Sequence, residues 1–108
     1  MNNNKYINKI IKYIDKIIDY TNDVDYESFN SDNKLIDACL MNFTEIGESV
    51  NSIDYEFIEK HKEIDWKQIK GMRNIIVHDY DGVNMKIVWD TIQSDLPLLK
   101  QKLTLLLK

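Results

Sequence analysis

The sequence predicts an all-α protein: a single domain over residues 1–108, built as an antiparallel bundle of four or five helices. Three observations carry this. Apolar residues recur at three- and four-residue spacing along most of the chain, which is the period of an amphipathic helix. Three Gly and one Pro supply too little turn material for a β protein. A chain of 108 residues, 44% apolar and 30% charged, has the composition of one globular core rather than of a disordered segment.

The first helix is expected over about Lys5 to Tyr20. Ile7, Ile10, Ile11, Ile14, Ile17 and Ile18 form its stripe, with Tyr6, Tyr13 and Tyr20 along one flank. Thr21 to Asp25 is polar and reads as a connection. A second long helix starts near Ser31 or Asp32 and runs to about Ile53, burying Leu35, Ile36, Cys39, Leu40, Phe43, Ile46 and Val50. Gly47 lies inside it, where glycine costs about 1 kcal/mol relative to alanine. Either another backbone or a ligand comes close there, or the weakening is simply tolerated. Tyr55 to His61 forms a short helix carrying Phe57 and Ile58. Asp65 is an N-cap, with Gln68 as its capping-box partner. The helix that follows places Trp66, Ile69, Met72, Ile76 and Val77 on its apolar side and ends around His78 to Tyr80, before the turn formers Asp79, Asp81 and Gly82. Asn84 caps the next helix, with Ile87, Val88 and Ile92 inside and Trp89 beside them. Pro97 fits the first turn of a last helix or a kink in a continuous one. Leu98, Leu99, Leu103, Leu106 and Leu107 then face the core or a partner.

The formal charge of −4 argues against bulk electrostatic coating of nucleic acid. A local basic surface remains: five cations against two anions lie between Lys60 and Arg73. A solvated helix face explains such a cluster as well as a phosphate surface does. The single Cys39 allows no intrachain disulfide, and its neighbours Ala38 and Leu40 suggest burial. The two histidines, His61 and His78, show no metal-ligand spacing, so no metal or cofactor is expected. No apolar run approaches the ~18 residues of a membrane span, and Met1 to Lys5 lacks a signal-peptide core; a cytoplasmic protein is the default expectation.

Chemistry concentrates in Arg73-Asn74-Ile75-Ile76-Val77-His78-Asp79-Tyr80. A guanidinium grips phosphate, an imidazole moves protons near neutrality, and a tyrosine stacks on bases or carries a modification. At ~100° per residue, Arg73 and Tyr80 lie nearly in line, whereas His78 falls ~140° from Arg73. One ideal helix therefore does not bring all three together, unless it ends near His78 or a second chain completes the site. On spacing alone, a polar helix end with its favourable cation is an equally good account.

These residues fit the Arg-x-x-x-x-His-x-Tyr motif of the HEPN superfamily, and the chain more narrowly resembles the HepT-like toxins of the MNT/HepT toxin–antitoxin type. Ile46-Gly47-Glu48-Ser49-Val50 is similar to the Ile-Gly-Glu-Ala segment of that group, with Ser49 in place of the usual Ala. Trp66, Ile69-Lys70-Gly71-Met72, Val88-Trp89 and Leu96-Pro97-Leu98-Leu99 also match, so the likeness spans about Ile7 to Leu107.

The resemblance implies a metal-independent ribonuclease toxin of a type VII-like pair, with two motifs meeting at a homodimer cleft. It implies His78 as general acid or base and Arg73 as the phosphate-holding, charge-stabilising catalytic group. Asn74 supports either one. The implied products are a 2′,3′-cyclic phosphate and a 5′-hydroxyl. It implies as partners RNA and an MNT-type nucleotidyltransferase antitoxin, which silences the toxin by AMPylation of Tyr80. The alternative is a non-catalytic helical subunit that presents substrate or nucleotide to such a transferase.

Overall fold

The computed structural model describes residues 3–107 and is helical throughout, with no strand among the described residues. Met1, Asn2 and Lys108, and with them the ends of the expected 1–108 domain, lie outside that range. The helices are α1 (Asn4–Tyr20), α2 (Tyr26–Asn30), α3 (Asn33–Asn51), α4 (Tyr55–Lys60), α5 (Trp66–His78), α6 (Met85–Asp90) and α7 (Leu96–Leu106). A π-helical turn, Thr91–Asp95, joins α6 to α7, so the last two form one interrupted rod. The bundle proper is α1, α3, α5 and this rod, within the expected four or five helices. The short α2 and α4 sit in its connections.

Local sequence sets the boundaries. Asp25, Asp32, Asp65 and Asn84 each accept a hydrogen bond from the backbone N–H three residues on, at 2.8–3.1 Å, and so start α2, α3, α5 and α6. The bond from Ser28 also holds the Asp25 carboxyl below its ordinary range. Between α1 and α2 the chain reverses through Asp23 in the left-handed region, φ 61°, which a short polar side chain tolerates. Pro97 has no N–H, and its ring crowds the carbonyl four residues back. The widened turn just before it relieves this: Leu96 N–H reaches the Thr91 carbonyl, five residues back instead of four.

Burial fixes the packing. Ile7, Ile10, Ile14 and Ile17 are fully buried, as are Cys39, Leu40 and Val50 on α3 and Leu103 on α7. Burial pushes the Cys39 thiol up to about 12, which leaves it inert at ordinary pH. Asn3 bonds Asp54 and Tyr13 bonds Glu45, so numbers rise along α1 as they fall along α3, and the pair is antiparallel. Phe29 anchors α2 on the rod through Trp89, ring centroids 5.1 Å apart.

Several expectations need correction. Residues 26–30, between the expected connection and the second long helix, form α2, whose five residues are too few to display a period. Gln68 does not close a capping box, since its side chain donates to Asp95 at 2.9 Å instead. Val77 and Ile87 are about half exposed rather than inside. On α5 the inward row is Trp66, Ile69, Met72 and Ile76, and Val77 is turned ~100° from Ile76, onto the side of Arg73.

The α3–α5 contact is set by one glycine. A Cβ built on Gly47 would lie 2.3 Å from Arg73 Cβ and 2.7 Å from its Cγ, the stiff base of that side chain. Gly71, on α5, has nothing within 4 Å of such an atom. The same substitution should therefore have opposite signs at the two sites. Gly71→Ala should raise stability by up to ~1 kcal/mol, the gain in helix propensity. Gly47→Ala should lower it, because overpacking of roughly 1–3 kcal/mol outweighs that gain. Urea midpoints of the two variants at equal protein concentration check both signs.

Candidate active site

The motif occupies the last turns of α5 and the single 3-10 turn Tyr80–Gly82 that follows. Helix α5 ends at His78, where Asp79 N–H bonds back to the Ile75 carbonyl at 2.8 Å and the backbone leaves the helix. His78 thus projects from a helix terminus, and Tyr80 lies beyond it rather than two turns along the same helix as Arg73.

Arg73 is largely covered. Its Nε and Nη2 both donate to Glu48 Oε1, at 2.9 and 2.5 Å, and its Nη1 donates to Asn74 Oδ1 at 2.9 Å. The close crossing at Gly47 puts the next residue, Glu48, within reach of the guanidinium. Three bonds do not use every N–H of a guanidinium, so donors remain for an oxyanion.

Tyr80 is tied to the other end of α3. Its hydroxyl donates to Asp37 Oδ1 in a short hydrogen bond, while its ring is 43% exposed. Shielding of the hydroxyl, the bond to Asp37 and the charges of Asp37 and Asp81 push the phenol up to about 12. Asp79 serves the turn instead: its carboxylate lies against Gly82, where a Cβ would meet it at 2.1 Å.

Asp37 and Glu48 are three turns apart on nearly one face of α3, and they hold the segments on either side of His78. Their pairing, Glu48 with Arg73 and Asp37 with Tyr80, also makes α3 and α5 antiparallel. His78 itself is exposed, and among the described residues no side chain hydrogen-bonds its ring. The structure therefore joins Arg73 to Asn74, and ties Arg73 and Tyr80 to α3, but links His78 to none of them. Ile75 and Val77, within the motif but ~160° apart around α5, and Met41, between Asp37 and Glu48 on α3, are exposed apolar side chains, 48% to 68% accessible.

Glu48 and Asp37 were missed as site residues by sequence reasoning. Glu48 carried a signal, its place next to the mid-helix glycine. Asp37 carried none, since only the α3–α5 register brings it to Tyr80. His61 is structural: its carbonyl accepts from Trp66 Nε1 at 2.9 Å, and its ring packs on Phe57 at 4.4 Å. Among the described residues, no group of three His, Cys, Asp or Glu side chains is placed to hold a metal ion. Nor, among them, is any helix long and apolar enough to cross a membrane.

Comparison with known proteins places this arrangement in a family. The family model described as "Ribonuclease HepT-like" matches residues 10–106. A protein of Caldanaerobacter subterraneus subsp. tengcongensis named "Putative RNase TTE0752" is 34% identical over 97 residues, covering 90% of this chain and 87% of its own. "Probable ribonuclease HepT" of Thermococcus cleftensis is 32% identical over 97 residues, with 90% and 88% covered. "Putative RNase MJ0125" of Methanocaldococcus jannaschii is 33% identical over 103 residues, with 95% and 89% covered. No solved structure matches. The match spans the whole bundle and the motif it carries, and the chain belongs to the HepT-like ribonuclease family.

Proposed function

We propose that the chain is a metal-independent endoribonuclease that works as a homodimer, the toxin half of a type VII-like toxin–antitoxin pair. The observation that carries the proposal is that Arg73 is held by three hydrogen bonds while His78 stands exposed at the end of the same helix. Glu48 and Asn74 fix the guanidinium in place before substrate arrives, and its remaining N–H groups face an incoming phosphate. His78, unencumbered, takes the proton from an RNA 2′-hydroxyl as that oxygen attacks phosphorus, or returns one to the departing 5′-oxygen. The 2′-O–P bond forms, the P–O5′ bond breaks, and a 2′,3′-cyclic phosphate and a 5′-hydroxyl result.

One histidine cannot stand on both sides of the phosphorus at once. A second copy of the motif across a dimer supplies the other imidazole. Exposed Val77, on the Arg73 side of α5, and exposed Met41, between Asp37 and Glu48 on α3, support that interface, because apolar side chains at a functional rim mark contact surfaces. The competing reading, a binding subunit that cleaves nothing, draws on the Glu48–Arg73 ion pair, which offsets the charge that RNA would seek.

The regulatory half of the proposal is nucleotidyl transfer to Tyr80 by an MNT-type nucleotidyltransferase. Tyr80 is exposed and two residues from His78, so an added AMP brings bulk and negative charge to the point where RNA must enter.

Two outcomes are expected. Purified wild-type protein in EDTA should cleave RNA, and His78→Ala should lose at least ~100-fold of that rate, the usual worth of a general acid or base. Arg73→Ala should be similarly impaired; cleavage persisting in both variants would remove the site. Incubation with the transferase and ATP should raise the intact mass by AMP increments in wild type but not in Tyr80→Phe. An unchanged wild-type mass with an active transferase would remove the regulatory half.

A further inference from the structure

We propose that Asp37 is the proton acceptor and positioning group for group transfer onto Tyr80, so that the modified chain itself supplies part of the machinery for its own modification. This rests on the nucleotidyl-transfer reading above.

The geometry selects Asp37 from three nearby carboxylates. Asp79 lies against Gly82 and serves the turn. Asp81 acts on Tyr80 only through its charge. Of the three, Asp37 accepts a hydrogen bond from the hydroxyl, and it does so from a different element, α3, across the α3–α5 contact. Tyr20 and Tyr55 are also exposed, at 40% and 73%, but neither hydroxyl is hydrogen-bonded to a carboxylate. Tyr80 is 43% exposed, while its hydroxyl is held by the hydrogen bond to Asp37. A nucleophile needs both access and a defined lone-pair direction.

The chemistry requires an acceptor. A phenol pushed up to about 12 is almost wholly protonated near neutrality, so it does not ionise before it attacks. In the resting state the carboxylate leaves the proton on oxygen. As the Tyr80 Oη–P bond forms, the phenol oxygen becomes acidic and its proton passes to Asp37. The bond between the α-phosphorus and pyrophosphate breaks in line with the attack. The products are a nucleotidyl-tyrosine, pyrophosphate and a protonated Asp37, which returns its proton to solvent. The donor is a nucleoside triphosphate with its divalent cation, both bound by the transferase.

The product also cannot rebind as the substrate does. A nucleotidylated oxygen has no proton to donate, and its phosphodiester would face the Asp37 and Asp81 anions. Modification thus releases Tyr80 from α3 and frees the segment that follows His78.

Two arms test this. In the first, the protein alone is treated with an arylsulfonyl fluoride and tyrosine sulfonylation is read by peptide mass spectrometry. Tyr20 and Tyr55 serve as internal standards, and circular dichroism melts confirm that each variant is folded. Loss of Asp37 also lets the phenol ionise more easily, so the rates are compared as pH profiles: Asp81→Asn should keep the wild-type profile and Asp37→Glu should partly restore it. The wild-type rate should be nearly flat from about pH 6.5 to 8.5, whereas the Asp37→Asn rate should climb about tenfold per pH unit, as proton removal passes to hydroxide. The same pH profile of Tyr80 labelling in wild type and Asp37→Asn, relative to Tyr55, overturns the proposal.

In the second arm, an MNT-type transferase and ATP modify the same variants. Asp37→Asn should lower kcat for transfer by about tenfold or more while changing KM for the protein substrate little. Transfer lost in Tyr80→Phe but undiminished in Asp37→Asn overturns the role of Asp37 and leaves the modification standing. Transfer that survives in Tyr80→Phe overturns both.

Discussion

The candidate site depends on how closely α3 and α5 cross at Gly47. With no side chain there, the Cβ of Arg73 comes within 2.3 Å of where another residue would place its own. The crossing brings Glu48 to the guanidinium, and one oxygen of that carboxylate accepts from both Nε and Nη2. A longer approach between the helices would leave Arg73 as a mobile surface cation, with rotamer entropy to lose each time it met a phosphate. Close packing converts that later loss into a feature of the folded state. The interaction that most resembles a stability device is therefore better understood as one of preorganisation.

The same helix does a second job farther along. From Glu48 back to Asp37, α3 runs antiparallel to the motif and grips it again at Tyr80. Between these two grips the chain leaves the helix, and His78 stands free at the point of departure. A general acid or base has to exchange protons with substrate and solvent, so an unbonded ring at a helix terminus suits it. A phosphate-holding group has to keep its direction, and Arg73 is fixed on three bonds. The proposed division of labour follows from which residues α3 reaches and which it does not.

How much of this was legible in the sequence differs residue by residue. The α1 stripe was, because Ile7, Ile10, Ile14 and Ile17 keep a strict phase and every one of them is fully buried. The helix end at His78 was, because Asp79, Asp81 and Gly82 stop helices whatever surrounds them. Gly47 announced a close approach but not its partner, since the alignment of α3 against α5 is set by the whole core. For the same reason nothing local marked Asp37. Val77 and Ile87 misled because hydrophobicity was read without phase: each sits one residue, ~100°, away from an inward neighbour. Helix α2 was invisible to periodicity, although Asp25 and Ser28 ahead of a fully buried Phe29 carry a cap signature.

Acidic groups outnumber basic ones at the site. Glu48 offsets Arg73, and Asp37 and Asp81 crowd Tyr80, in a chain already carrying −4 overall. Such a surface is poor at holding nucleic acid by charge alone, and it makes cleavage depend on fit at the scissile phosphate. Arg73 and His78 are proposed to act there on a 2′-hydroxyl. The most direct measurement is end-group analysis of cleavage in EDTA, using an RNA oligonucleotide and its all-deoxy counterpart. The account predicts 2′,3′-cyclic phosphate and 5′-hydroxyl ends from the RNA, and no cleavage of the deoxy strand. Products ending in 3′-hydroxyl and 5′-phosphate, or cutting of the deoxy strand, would contradict it.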